Sequence, residues 1–266
     1  MSSQNPPSTK KSAARYDITF EDVCMMYPNG NEALKDVNLT IRQGEFVFIV
    51  GRSGAGKTTL TKLLLCEERV SSGRLHIGPY KLEKLPRRRI PYLRRKMGVV
   101  FQDFRLFDNK TAYENIAFAL RVTGEGKKLI QKRVPYFLNI VGLRDKAASY
   151  PTELSGGEKQ RIAYARALVN NPYIVIADEP TGNIDPEMSR ELLDMLVTIS
   201  GLGKTVIVVT HEKELVDRYK KRVVTIEDGR IAQQGRHHDL VQQEGLYRRV
   251  YHIQAALEDE LNRETA

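Results

Sequence analysis

Residues 51–58 read Gly51-Arg52-Ser53-Gly54-Ala55-Gly56-Lys57-Thr58, which satisfies the spacing G-x-x-x-x-G-K-[ST]. Each residue type answers a need of phosphate binding. Gly54 and Gly56 carry no Cβ, so backbone N–H groups can approach an anion closely. Lys57 can reach the β- and γ-phosphates, and the Thr58 hydroxyl can coordinate Mg²⁺. The chemistry implied is the binding of a nucleoside triphosphate.

Two further segments bear on that chemistry. Ser155 and Glu158 form a capping box ahead of a helix expected over 162–170. A helix start needs no double glycine, and Gly156-Gly157 bares backbone N–H groups at a positive helix end. The chain therefore carries a second anion cradle. Residues 173–177 form an apolar run that ends in two carboxylates, Asp178-Glu179. Asp178 suits a Mg²⁺ ligand in the Walker-B role, and Glu179 suits the base that orients and deprotonates an attacking water. Gln102 and His211 also follow apolar runs, so four strands are expected to end in polar groups on one edge.

These groups need elements to hold them. Residues 46–50 are unbroken apolar sequence, as in a strand buried on both faces, and 58–68 has helical composition with Leu60, Leu63 and Leu64 spaced for one face. Further strands are expected at 97–101, 173–177, 205–210 and 222–226, alternating with helices. Asn29-Gly30, after the run 18–27, and Asp228-Gly229 are hairpin signals. The fold class expected is α/β: a P-loop NTPase of RecA-like type. It has a mostly parallel sheet, an N-terminal antiparallel β subdomain, and an inserted α-helical subdomain at about 103–170.

The bulk numbers bound the rest. At 266 residues the chain can bury a sizeable core. No apolar run approaches the roughly 20 residues of a membrane helix. Residues 1–15 are Ser/Pro/Lys-rich and read as a disordered basic tail rather than a secretory signal. Cys24 and Cys66 fall in an expected strand and an expected helix, as buried free thiols in a reducing cytosol would. The net charge of +9 is uneven: from Lys81 to Lys96 there are eight cations against one acid, Glu83, or 8 − 1 = +7 in 16 residues. Such a run is a solvated helical face, or it meets an anionic membrane surface or nucleic acid. Phe104, Leu106 and Phe107, close behind Gln102, either pack within the helical subdomain or line a groove for a partner helix.

The order P-loop, Gln102, Leu154-Ser155-Gly156-Gly157, Asp178-Glu179, Gly182-Asn183-Ile184-Asp185 and His211 resembles the nucleotide-binding subunit of ABC ATPases over roughly residues 16–235. The resemblance implies an ATPase domain at 16–235 and leaves 236–266 as a helical C-terminal extension. It implies a head-to-tail homodimer with ATP sandwiched between protomers, each ATP using the P-loop of one and the Ser-Gly-Gly helix of the other. By motif, Tyr27 would stack on adenine, and Gly51, Ser53, Gly54, Ala55, Gly56, Lys57, Thr58 and Thr59 would hold the phosphates. Ser155, Gly156 and Gly157 would contact the γ-phosphate in trans. Thr58, Gln102 and Asp178 would serve Mg²⁺, and Gln102 would couple to a membrane partner. His211 would hold the γ-phosphate, and Asp185 would connect the two sites.

Within the family the sequence resembles the FtsE branch of cell-division ATPases, through stretches such as Arg94-Arg95-Lys96-Met97-Gly98-Val99-Val100-Phe101-Gln102-Asp103-Phe104. That branch implies an FtsX-like integral membrane subunit, control of cell-wall hydrolases, and a cytoplasmic protein peripheral on the inner face of the cell membrane. Lipoprotein-release and macrolide-efflux ATPases share Pro180-Thr181-Gly182-Asn183 and are the alternative. A nucleic-acid role is a distant third, because such family members usually carry coiled-coil insertions or two ATPase domains in one chain. The stretch His237–Tyr251 looks like the tail of exporter ATPase domains. The pair His237-His238 alone makes no metal site.

Overall fold

Two hairpin-linked strands open the chain. β1 (Ile18–Met26) and β2 (Glu32–Ile41) pair antiparallel across the Asn29-Gly30 turn, where Gly30 takes φ 83°. Their alternating sequence sends Ile18, Phe20, Leu39 and Ile41 to one buried face. The structure is a computed structural model and describes residues 15–181, 186–245, 247–249 and 251, with the Lys213 side chain excepted. The expected tail 1–15 therefore lies outside the described residues except Arg15, as do Gly182 to Asp185 and all of 252–266.

The next strand sits in a different sheet. β3 (Phe46–Val50) leads into α1 (Lys57–Leu64). The chain then returns to the first sheet with β4 (Ser72–Ile77) and β5 (Tyr80–Lys81), giving the antiparallel order β2-β1-β4-β5. The sequence patterns did not mark these two strands. β4 begins Ser72-Gly73-Arg74, with three exposed positions and no apolar alternation to read.

A second sheet forms around β3. It takes in β6 (Met97–Val100), after a short helix α2 (Ile90–Arg94), and is interrupted by α3 (Ala112–Val122), α4 (Lys127–Ile140) and α5 (Gly156–Leu168). The chain continues through β7 (Ile174–Asp178), α6 (Pro186–Gly201), β8 (Thr205–Val209), α7 (Lys213–Tyr219), β9 (Arg222–Glu227), β10 (Arg230–Arg236) and α8 (His237–Gln242). The strand order is β10-β9-β3-β8-β7-β6, parallel throughout except for β10. This is the P-loop NTPase architecture expected from the sequence.

The central strands are walls between two cores. Val47 and Ile49 of β3, Ile174 and Ile176 of β7, and Ile207 and Val209 of β8 face the core under the antiparallel sheet. Phe46 and Phe48, Val175 and Ala177, and Val206 and Val208 face the opposite core, with Leu192, Leu193 and Leu196 of α6. Both faces are dry, so the strands show no polar alternation. Phe48 is fully buried, and truncating it to alanine would cost about 3–5 kcal/mol. A third core, with Ile116, Leu120, Val134, Leu138 and Ile162, belongs to α3, α4 and α5.

Two local expectations are corrected. The helix expected over 58–68 ends at Leu64, because Cys66 turns into the left-handed region at φ 53°. Cys24 and Cys66 are only half-buried, and Cys66 lies in that turn rather than in a helix. The three apolar residues behind Gln102 divide: Leu106 packs on the helical core, while Phe107 is 38 % exposed against the ring of Phe118.

Candidate functional site

The strand order places four polar chain ends side by side. Going outward from β3, the carboxyl edge carries residues 51–58 after β3, His211 after β8, Asp178 and Glu179 at the end of β7, and Gln102 after β6. Parallel pairing puts them all on one edge, where open α/β sheets bind ligands.

The P-loop is clamped from beneath. A Cβ on Gly51 would lie 2.3 Å from the carbonyl oxygen of Ile226, so β9 allows no side chain there. Gly56 adopts φ +111°, and a Cβ on it would meet the Ala33 carbonyl at 2.7 Å. The β9–β10 turn completes the clamp: the Gly229 N–H donates to Ala55 O at 3.1 Å, and Gly229 O accepts from Lys35 N at 2.8 Å. On the other side, nothing lies within 4 Å of where a Cβ of Gly54 would stand. The loop is thus held on its sheet side and open outward. α1 starts at Gly56 with no side-chain cap and no acid in its first turn, leaving N–H donors for an anion.

Lys57 is buried, and its ammonium donates to Gly51 O at 2.7 Å and Arg52 O at 3.2 Å. It also stands 4.0 Å from Glu179 Oε1. The other oxygen of Glu179 lies 2.9 Å from His211 Nδ1. Glu179 is a left-handed residue, φ 46°, pinned by its N–H to Val209 O at 2.8 Å. Backbone strain of this kind marks functional positions. Lys57, Glu179 and His211 therefore form one connected chain of polar contacts across three strand ends.

Asp178 is half-buried and, among the described residues, accepts no hydrogen bond. Burial and the neighbouring Glu179 carboxylate push its pKa up to about 6, against the pull of Lys57 and Arg105. An under-neutralised carboxylate on the same sheet edge as the P-loop and its exposed Thr58 fits a divalent cation. Thr59 is buried, and its hydroxyl pairs with the Tyr27 hydroxyl at 3.2 Å, which places the half-buried Tyr27 ring beside α1. Arg52, Ser53 and Gly54 face a cavity of about 380 Å³, closed by His211, Glu212 and the end of β9.

Ser155, Gly156 and Gly157 lie at the start of α5 and are not among the walls of that cavity. Ser155 Oγ accepts from Glu158 N at 3.2 Å, and Glu158 accepts from Ser155 N at 2.8 Å. The latter bond holds the Glu158 carboxyl below its usual range. Among the described residues, no acceptor outside the helix takes the N–H groups of Gly156 and Gly157. Gln102 is exposed.

Three positioning residues gave no signal in the sequence. The Arg166 guanidinium, on α5, donates to the carbonyls of Phe104 and Arg105, both left-handed residues just past Gln102. Burial pushes its pKa down to about 10. Gln160 donates to Pro180 O at 2.6 Å, linking α5 to the segment after Glu179. Glu212 accepts from the Thr181 hydroxyl. Each is an ordinary polar residue inside a helix or turn, and only the fold reveals its partner.

A family described as ABC transporter matches residues 34–182. The chain is 50% identical over 214 residues to the cell division ATP-binding protein FtsE of Bacillus subtilis, covering 80% of this chain and 94% of the relative. It is 41% identical over 214 residues to FtsE of Escherichia coli, covering 80% and 96%. Among solved structures it superposes on a dimeric bacterial ABC transporter cassette with a TM-score of 0.77 at 36% identity, covering 82% of this chain and 98% of that one. A dimeric cassette in a post-hydrolysis state bound to ADP and Pi gives a TM-score of 0.76 at 35% identity, with the same coverage. On these likenesses this chain belongs to the ABC transporter family, as an ATP-binding and ATP-hydrolysing cassette.

Proposed function

We propose that this chain is the ATPase subunit of an FtsE-like complex, coupling ATP-driven dimerisation to an FtsX-like membrane subunit in bacterial cell division and cell-wall hydrolase regulation. The single observation that carries the catalytic part is the connected chain Lys57–Glu179–His211 on the carboxyl edge. The cell-division part rests on the relatives named FtsE. Among the described residues no helix is long and apolar enough to cross a membrane, and in this reading the membrane subunit supplies that part. The cassette is then cytoplasmic and peripheral on the inner face of the cell membrane.

The residues have distinct roles in this reading. Gly51, Ser53, Gly54, Ala55, Gly56 and Thr59 shape the loop, whose N–H groups take the phosphates, and Lys57 adds charge at the β- and γ-phosphates. Tyr27 stacks on adenine. Thr58, Gln102 and Asp178 would hold Mg²⁺, which supplies charge neutralisation at the phosphates. Glu179 takes the proton of the attacking water, and the His211 bond at 2.9 Å fixes its orientation. Ser155, Gly156 and Gly157 serve the ATP of the second protomer, which explains why they lie apart from their own P-loop.

Glu179→Gln and Lys57→Ala test the assignment together. The first should keep ATP binding, lose most turnover and accumulate an ATP-bound dimer, because an amide accepts no proton. The second should weaken binding itself. A Glu179→Gln protein with wild-type turnover rejects the role of Glu179.

A further inference from the structure

The eight cations between Lys81 and Lys96 divide into two groups. Three are used by the protein. Arg94 Nε donates to Leu65 O at 2.8 Å, Arg95 donates to Val122 O at 3.0 Å, and the Lys96 ammonium sits 5.6 Å from the centre of the Tyr173 ring. The other five, Lys81, Lys84, Arg87, Arg88 and Arg89, are all exposed, and among the described residues none pairs with an acid. The chain forces them outward. Leu82, Leu85 and Leu93 are buried anchors, and between them two 3₁₀ turns, Leu82–Lys84 and Arg87–Arg89, present the cations to solvent. The one acid of the stretch is turned away: Glu83 accepts from Leu75 N at 3.3 Å and faces His76 at 3.4 Å. Five like charges within nine residues repel one another, and the fold does nothing to offset this.

Beside the cations runs an apolar strip. Tyr92 is 58 % exposed, and the Arg95 guanidinium lies 5.1 Å from its ring centre while reaching the end of α3. There Val122 and Phe118, four residues apart on one helix face, are exposed at 52 % and 36 %. The Phe118 ring meets that of Phe107 at 4.6 Å. Arg95 therefore joins the cationic patch to the strip that ends at Phe107.

We propose that Lys81, Lys84, Arg87, Arg88 and Arg89, with Tyr92, form a seat for a bilayer surface rich in anionic phospholipid headgroups. Charge complementarity is direct: a negative leaflet attracts clustered lysine and arginine within a Debye length. Tyr92 has the amphipathic ring that settles at a headgroup boundary. The placement rests on the membrane-partner reading above: if a cytoplasmic helix of the membrane subunit packs on Phe107 and Phe118, the adjoining patch is held against the membrane. Single-stranded nucleic acid fits less well, because single strands stack bases on successive aromatic rings and this patch has one.

Vesicle sedimentation of the purified full-length protein tests the seat. The probes are vesicles of phosphatidylglycerol mixed with phosphatidylcholine, vesicles of phosphatidylcholine alone, and a short DNA duplex. Binding is expected to the anionic vesicles only and to weaken with added salt. The triple variant Arg87→Glu, Arg88→Glu, Arg89→Glu should lose about tenfold or more of that binding while its soluble ATPase rate stays unchanged. A control with the same charge change, Lys127→Glu, Lys128→Glu, Lys132→Glu on α4, should lose far less. Equal losses in the two triple variants overturn the seat in favour of a net-charge effect, and wild-type binding by the Arg87–Arg89 variant overturns it outright. Tighter binding to duplex DNA than to vesicles, lost in the same variant, assigns the patch to nucleic acid instead. The assay contains no membrane subunit, so its outcome is independent of whether an FtsX-like partner co-purifies.

Discussion

The Arg166 guanidinium donates to the carbonyl oxygen of Phe104 at 2.6 Å, across 62 residues of chain. The bond ties the helix that begins at Ser155-Gly156-Gly157 to the loop that begins at Gln102. Phe104 and Arg105 are both left-handed, at φ 57° and 46°, so the loop would relax if released. Through Gln160 and Pro180 the same helix also grips the exit from Glu179. α5 is thus the mechanical link between the proposed trans cradle, the Gln102 loop and the proposed base.

Arg166→Met should cost about 1–3 kcal/mol of stability, the loss expected when charge-assisted bonds to one part-buried and one exposed carbonyl are removed. Turnover should fall while nucleotide affinity stays near wild type, since the P-loop is untouched. Arg166→Lys should recover only part of both losses, because one ammonium cannot reproduce the guanidinium fork. Melting curves and separate measurement of kcat and KM check this. Wild-type turnover in Arg166→Met would detach α5 from catalysis.

Asp178 gives a pH dependence with a defined sign. Its pKa of about 6 in the fold exceeds the ordinary carboxylate value of about 3.9. Between those values the folded chain holds a proton that the unfolded chain does not, so stability falls as pH rises from 4 to about 6 and is then flat. Asp178→Asn removes the effect. Without nucleotide or divalent cation, the variant should gain roughly 1–2 kcal/mol over wild type at neutral pH and little at pH 4, after allowance for partial exposure. A melting-temperature difference that is constant across this range would contradict the shift.

Ser155→Arg should block ATP-driven dimerisation in the Glu179→Gln background. ATP binding by the monomer should survive within about threefold, since under a kcal/mol is at stake away from its own P-loop. Sedimentation velocity with ATP reads the first and nucleotide titration the second. A normal ATP-dependent dimer from Ser155→Arg would reject the head-to-tail arrangement.

Phe107→Ala probes the strip beside Gln102. Phe107 is 38 % exposed, so its loss should change melting little. If a helix of the membrane subunit packs on it, association should weaken by about 2 kcal/mol or more. Co-purification from detergent-solubilised membranes measures this. A Phe107→Ala protein that melts early yet still co-purifies would place Phe107 in the helical core.

The polar edge of the parallel sheet was legible in the sequence because residues 51–58, Gln102, Asp178-Glu179 and His211 each follow an apolar run, and strand ends in a parallel sheet share an edge. Gly51, Gly56, Asp178 and His211 fall there for that reason. β4 and β5 were not legible, since Ser72-Gly73-Arg74 is exposed and has no apolar alternation. The end of α1 was misplaced by a left-handed Cys66, a residue type that gives no warning of that conformation. Arg166 and Gln160 act on main-chain carbonyls, and a carbonyl partner has no side-chain identity to read.

The Lys57 ammonium already rests on the carbonyls of Gly51 and Arg52, out of solvent. The lysine therefore gives up its water when the chain folds, not when nucleotide arrives. If Lys57 serves the phosphates as proposed, nucleotide binding is an exchange of partners, phosphate for carbonyl, at a cation already largely desolvated by folding.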